Sequence, residues 1–543
     1  MEAPKEPPFF MAKNTKLLQK ANNALASGRY EHAINLLNKL LIEEPSNTEY
    51  LLLLGEGLMR NEQFSDALPF FAKVVEKDNK NLRALNNFGA ALLRNKHLEE
   101  AKEILLYALE VDPNNIDIHT NLGSVYQGLL QPEKSLEVAF KVISLDPTWF
   151  MAYNNLGCAL GDLMRLDDAR EAYKTAVALN PNYLPAIINL AQLEIKSGNH
   201  LKGVELYESA LILVNITAGE KDLVKYYLSH SYLYFGDLEK GWDYYDLGFS
   251  DMLPTGAYRS KRKFSQPVWN GDPNTKETIL IWREQGLGDE ILFSTCLNSI
   301  HHLDLNIILE CDPRLIDIFK RTYPNFLIRG ESIQDNFYPL FDDFQVQLPI
   351  GSLPRYFRRD IRDFENKPRS FMPLSHNTQL VKKRLAPYED KILIGICWRS
   401  GMLSLERNLN YTSLRDWGEL FKNTNYQFVN LFHGDCENEL TEAENIYGIK
   451  ILRWDDFDLK NDLETVLALV AELDCVVSVG TAVSVIAAAA GTNTLVLLQR
   501  SWVLLGENDR YPWFPSVRPF VVETNEHVAL NIIKLNSFIS KKH

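Results

Sequence analysis

The sequence predicts an all-α solenoid of stacked helix hairpins over residues 16–250, followed by an α/β half made of two facing parallel-sheet units, residues 276–389 and 390–543. Three observations predict it. Gly55, Gly89, Gly123 and Gly157 recur at a step of 34 residues, as do Pro113, Pro147 and Pro181. Beyond residue 275 the pattern changes to short β-branched apolar runs that alternate with helical stretches, the signature of βαβ units. Between the halves, residues 251–275 are rich in Pro, Gly and basic side chains and read as a linker. Residues 1–15 read as a tail, and the chain closes on a final helix.

Length and composition bound the rest. A chain of 543 residues exceeds one ordinary core and calls for several compact units. Hydrophobic content of 46% with 24% charged residues is that of a globular protein. A net charge of −14 argues against a nucleic-acid or anionic-membrane partner for the whole surface, and the basic runs "RSKRK" (259–263) and "RYFRR" (355–359) read as solvated faces. Six scattered cysteines without a CxxC, and eleven histidines without an HExxH, predict free thiols, a reducing compartment and no metal site. The first residues lack a signal-peptide core and no run of eighteen apolar residues occurs, so a cytoplasmic location without membrane insertion is expected.

In the first half, Ala33, Ala67, Ala101, Ser135, Ala169 and Gly203 keep the 34-residue step. A small residue at one fixed place on each helix lets the pair approach closely, and the proline ends the second helix. The stretch "NNLGCALGDLMRLDDAREAYKTAVALNP" (154–181) resembles the tetratricopeptide repeat, with about six and a half units from Leu17 to roughly Ser250. Such a superhelix presents a concave groove. Two positions before each glycine stand Asn87, Asn121 and Asn155, with Asn189 before Ala191. This row resembles the one in the repeat arm of the O-linked N-acetylglucosamine transferases, which implies recruitment of an extended peptide. Each amide offers a donor and an acceptor to any backbone. The alternative is a polar groove that holds only water.

In the second half, "TILIW", "LNIILEC", "ILIGICW", "YQFVNLF", "GIKIL", "CVVSV" and "NTLVLL" read as strands with helices between. Ligands of such Rossmann-like sheets sit beyond the carboxyl ends of the strands. There the sequence places Arg399 and Ser400, His433, Asp455, Gly480 and Thr481, and Gln499 and Arg500. The turn into "TAVSVIAAAAG" offers free backbone N–H groups and a helix dipole for a phosphate, or else an ordinary threonine cap.

The motifs "WREQGLGDEILFSTCL", "IGICWRSG", "ERNLNYTSL", "ELDCVVSVGTAVSVIAAAAGTNTLVLL" and "GENDRYPWFPSVRPF", in that order, resemble the transferase half of bacterial tetratricopeptide-repeat glycosyltransferases, which in turn resemble the ADP-heptose heptosyltransferases. The resemblance implies a type B glycosyltransferase fold, with the acceptor on the first Rossmann-like unit and a nucleotide-sugar donor on the second. It implies Asp289 as general base. Arg399 and Arg407 would neutralise the leaving diphosphate, and Ser400, His433, Gly480, Thr481 and Ala482 would complete the donor site. The structural alternative for Asp289 is complementing a helix dipole. One departure stands out: Gly480 and Val485 occupy the places of the aspartate and histidine in the heptosyltransferase "DTAxxH" turn. "WDDFD" (454–458) contains a DxD but lies just ahead of a helix, and reads as capping rather than metal binding.

The expectation is therefore a metal-independent glycosyltransferase, without cofactor, that moves a sugar from a nucleotide donor to a protein recruited by the repeats, flagellin or another surface protein among the candidates. The rival is a non-catalytic scaffold whose decayed transferase half binds a nucleotide sugar or a protein partner.

Overall fold

The computed structural model describes residues 8–540 apart from 215, 251–258, 260–261, 333–339, 366–369, 402–409 and 524–525, with the backbone alone for 8–13. Packing divides it into two compact units, Met1–Glu194 and Ile195–His543.

The first unit is helical. Helices begin at Thr48, Leu82, Ile116, Phe150 and Leu184, each 34 residues beyond the last, and their partners begin at Phe64, Leu98, Pro132 and Leu166 with the same step. Gly55, Gly89 and Gly157 set the spacing. A Cβ at these positions would meet the Phe71 ring at 2.6 Å, the Leu105 side chain at 2.5 Å and the Tyr173 ring at 2.5 Å. In the fourth repeat the contact is polar, Ser135 Oγ donating to the Gly123 carbonyl at 3.1 Å. Asn47, Asn81 and Asn115 cap successive first helices. Glu62, Lys96, Leu130 and Met164, again 34 apart, all stand at φ between 56° and 64°. The turn inside these hairpins therefore needs a left-handed residue, which glycine supplies at Gly28, Gly198 and Gly236.

The second unit contains the helices His200–Leu211, Ala218–Phe235 and Leu238–Tyr245 and two sheets, all strands parallel. The first sheet holds β1 (Thr278–Trp282), β2 (Asn306–Cys311), β3 (Leu327–Gly330) and β4 (Val346–Pro349), ordered β3-β2-β1-β4. The second holds β5 (Ile392–Cys397), β6 (Tyr426–Asn430), β7 (Ile451–Leu452), β8 (Cys475–Val479), β9 (Thr494–Gln499) and β10 (Val517–Val522), ordered β10-β9-β8-β5-β6-β7. β4 and β10 are edge strands, which is why Pro349 and Pro519 are tolerated in them. Among the described residues no helix is long and apolar enough to cross a membrane.

The last repeat helices pack within the second unit. Trp242 lies 6.5 Å from Phe293 and 6.2 Å from Trp513 between ring centroids, and Phe293 stacks on Trp502 at 6.3 Å. One reading of the sequence needs correction: the basic runs are not solvated faces. Arg259 and Arg262 are buried, with Arg259 paired to Glu284 and Asp246 and Arg262 paired to Glu310 and Glu331. Arg358 is buried too, and Arg355 and Arg359 pair with Asp243. A basic residue in a linker composition can be the partner of a buried carboxylate distant in sequence, and local composition carries no trace of that pairing.

Candidate functional site

Strand order fixes where the site lies. In the first sheet the order reverses between β1 and β4, and in the second between β5 and β8. Loops at such switch points diverge and leave a crevice beyond the carboxyl ends of the strands. The loop after β1 opens the helix Leu287–Ser294, the loop after β5 carries Arg399 and Ser400, and the loop after β8 opens the helix Ala482–Ala489. The start of the first helix and the loops after β5 and β8 line one cavity of about 680 Å³, which includes Asp289, His433, Gly480, Thr481 and Ala482. The two sheets meet closely there: a Cβ on Gly288 would stand 3.5 Å from Ala482 Cα.

Asp289 sits in the first turn of its helix, half-buried, and among the described residues no donor bonds to its carboxylate. Burial, and then the charge of Glu284, push its pKa up to about 6. It is therefore mostly ionised at pH 7 yet basic enough to accept a proton. Its neighbours are committed elsewhere. Glu284 is fully buried against Arg259, which donates from Nε at 2.6 Å, and it accepts the Gly351 N–H at 2.9 Å. Glu290 accepts from Arg283 Nε at 2.9 Å and from the Asp312 N–H at 2.9 Å. Tyr511 lines the same cavity, and burial followed by the charge of Asp289 holds its hydroxyl above the ordinary range. Tyr411 also lines it, 2.6 Å from Ser400 Oγ. Both tyrosines stand within quoted motifs, but nothing local marked them as cavity-lining.

On the opposite wall the Thr481 N–H donates to Ser484 Oγ at 3.3 Å, and Thr481 Oγ1 lies 3.2 Å from Ser478 Oγ. Helix geometry leaves the N–H groups of Ala482 and Val483 without intrahelical acceptors. A Cβ on Gly480 would meet nothing within 4 Å, so the missing aspartate leaves open space at the turn. Arg399 is not a free cation. It donates from Nε to Glu439 at 3.1 Å and from Nη2 to the Asp435 carbonyl at 3.1 Å, with its guanidinium 4.2 Å from the Phe432 ring centroid. Arg407 lies outside the described residues.

His433 also lines a second cavity, of about 790 Å³, with Trp454, Asp455, Asp458 and Lys460. Burial, and then the charges of Lys460 and Arg314, hold its imidazole below the ordinary range, so it is neutral at pH 7. Within "WDDFD", Asp458 accepts the N–H groups of Lys460 and Asn461, each at 3.0 Å, and Asp456 pairs with Arg384 at 2.6 Å. These are turn-capping and ion-pair roles.

In the first unit the asparagine row binds neighbouring repeats. Asn87 Nδ2 donates to Glu56 Oε1 at 2.9 Å, Asn121 to Asn86 Oδ1 at 2.8 Å, Asn155 to the Thr120 carbonyl at 3.1 Å and Asn189 to Asn154 Oδ1 at 3.0 Å. Each amide reaches back to the preceding first helix, and Asn155 is 8% exposed. Changing Asn155 to Ala is therefore expected to lower stability by about 1 kcal/mol, because it removes a buried amide hydrogen bond that joins successive repeats. Urea denaturation checks this, and an unchanged midpoint would mean that water replaces the amide without cost.

Comparison with known proteins agrees with the helical part. Tetratricopeptide repeat families match residues 18–81, 58–124 and 150–183. Protein FlbA of Caulobacter vibrioides is 30% identical over 310 residues, which cover 54% of this chain and 50% of that protein, so the chain spans about half the length of this curated relative. Among solved structures, MamA protein is 26% identical over 31% of this chain and 92% of its own, at a TM-score of 0.28. A thermophilic TPR protein of Thermus thermophilus is 23% identical over 34% of this chain and 99% of its own, at a TM-score of 0.30. The N-terminal half of this chain carries tetratricopeptide repeats, a fold of protein interaction, ahead of a parallel-sheet α/β region.

Proposed function

We propose that the α/β region is a glycosyltransferase of the type B fold, which moves a sugar from a nucleotide donor to a protein held by the repeats. The observation that carries this reading is the convergence of both topological switch points on one cavity, with a carboxylate that accepts no hydrogen bond among the described residues on one wall and a helix N-terminus on the other. Donor phosphate sits at the turn Gly480–Thr481–Ala482, where amides and dipole meet its charge. The acceptor hydroxyl oxygen forms the new bond to the anomeric carbon. The bond from that carbon to the phosphate oxygen breaks, and its electron pair leaves with the nucleotide. The hydroxyl proton passes to Asp289, whose pKa of about 6 suits the task at neutral pH. Arg399 serves the phosphate only by giving up Glu439. Ser400 and His433 complete the polar lining on the donor side, and the Oδ1 acceptors of Asn87, Asn121 and Asn189 meet the peptide backbone, whereas Asn155 Oδ1 is already met by Asn154 Nδ2 at 3.5 Å. The acceptor, flagellin or another surface protein, remains a protein by this reading, and its site is cytoplasmic.

The scaffold alternative draws on one specific observation, the commitment of Arg399 to Glu439 beside a donor turn that lacks its aspartate. Thermal denaturation against a panel of nucleotide sugars tests the donor site, and sugar incorporation into protein with the stabilising donor then separates a transferase from a scaffold that only binds. A ligand at 100 times its Kd adds about 2.7 kcal/mol of stability, so one member of the panel should raise the melting temperature by several degrees. No shift with any activated sugar would leave the scaffold reading standing.

A further inference from the structure

Arg283, Glu284 and Gln285, which precede Gly286 at the start of the Asp289 helix, are each tied down, and the tie on Gln285 comes from the last repeat hairpin. Gln285 Nε2 donates to the Tyr245 hydroxyl at 2.7 Å. Tyr245 ends the helix Leu238–Tyr245, is 2% exposed, and packs its ring 4.2 Å from the Arg259 guanidinium. The Gln285 carbonyl accepts from Arg283 Nη2 at 3.1 Å, and Glu284 is fixed by Arg259 and the Gly351 N–H. Asp289, by contrast, has no hydrogen-bonding partner of its own among the described residues, so the loop and the first helical turn are the described elements that set where its carboxylate stands. Tyr245 does not line the cavity.

We infer that Tyr245 is a positioning residue: through its hydrogen bond to Gln285 it holds the loop that places Asp289 in the cavity, which makes the end of the last repeat hairpin part of the transferase rather than of the recruiting arm. The inference rests on the proposed transferase reading. Geometry is the reason the bond matters. A carboxylate displaced by about 1 Å from an attacking hydroxyl can cost up to about a hundredfold in rate.

The test uses the full chain and the nucleotide sugar that stabilises it, with sugar incorporation into acceptor protein as the rate. Tyr245→Phe and Gln285→Met are each expected to lower kcat about tenfold and leave KM for the donor within about twofold. Because both remove one bond, the double variant is expected to be no slower than the slower single. Independent effects that multiply in the double would overturn the inference, as would either single variant at full kcat. Amide hydrogen exchange gives a second readout that needs no substrate. Exchange at residues 286–290 should quicken about tenfold in both variants while the melting temperature holds, and unchanged exchange would overturn the inference. Absence of transfer by the parent chain with every donor would sink the transferase reading alone, since the exchange experiment still decides whether Tyr245 holds the loop.

Discussion

Asp289→Asn is expected to lower turnover by roughly 10² to 10⁴ while raising thermal stability at pH 7. The two effects have one cause. The carboxyl is pushed from its ordinary value of 3.8 up to about 6, by burial first and Glu284 second. A carboxyl whose folded pKa exceeds its unfolded value binds its proton more tightly in the folded state. Stability therefore falls as pH rises from 3.8 to about 6, and the whole cost is present above that. Asparagine carries no charge and escapes this cost, so the variant should gain about 1 to 3 kcal/mol at pH 7 and little at pH 4. The parent rate should fall as pH drops through about 6, because the protonated carboxyl accepts nothing. A residue that merely complements the helix dipole gives the opposite sign, a loss of a few tenths of a kcal/mol with activity kept. A variant that turns over within threefold of the parent would remove Asp289 from the mechanism. Glu284 and Glu290 are poor substitutes, since both are buried in ion pairs.

Arg259→Met is expected to destabilise the second unit by about 3 to 5 kcal/mol, the largest loss from any single change considered. Arg259 and Glu284 both have fully buried side chains, and removing the cation leaves a carboxylate without its charge partner in the core. Asp246 loses a partner as well. Arg259→Met combined with Glu284→Gln should recover most of the loss, because the amide still accepts the Gly351 N–H and no charge remains at that position. Chemical denaturation of the two variants decides the matter. If the double variant is as unstable as the single, the cost lies in the packing of Arg259 between the rings of Tyr245 and Phe249 rather than in the stranded charge.

Much of the fold was legible because it repeats locally. The 34-residue step placed the small residues that let paired helices touch, and the runs that became β1, β2, β5 and β8 are apolar enough to be buried on both faces. The strands that escaped notice are β3, β4 and β10, short or proline-bearing edges whose pairing depends on a neighbour already in place. Residues named for the site fared in a similar way. Asp289, Arg399, Ser400, His433, Gly480, Thr481 and Ala482 do come to one cavity, because each follows a strand at its carboxyl end and parallel sheets gather those ends. Tyr411 and Tyr511 arrive from loops, for which no periodicity exists.

By itself the sequence determined the hairpin period, the alternation of strand and helix, and the identity of the loops at the sheet edge, since these depend on residues within one or two turns of each other. Only the tertiary structure decided which charges are free. Arg259 and Arg262 were spent on Glu284 and Glu310, Arg399 on Glu439, and the asparagine amides on the preceding repeat, whereas the Asp289 carboxylate has no partner among the described residues. The reason is that ion pairs and amide bonds join groups 25 to 48 residues apart in these cases, and whether a polar group is buried with a partner depends on distances that no local pattern encodes.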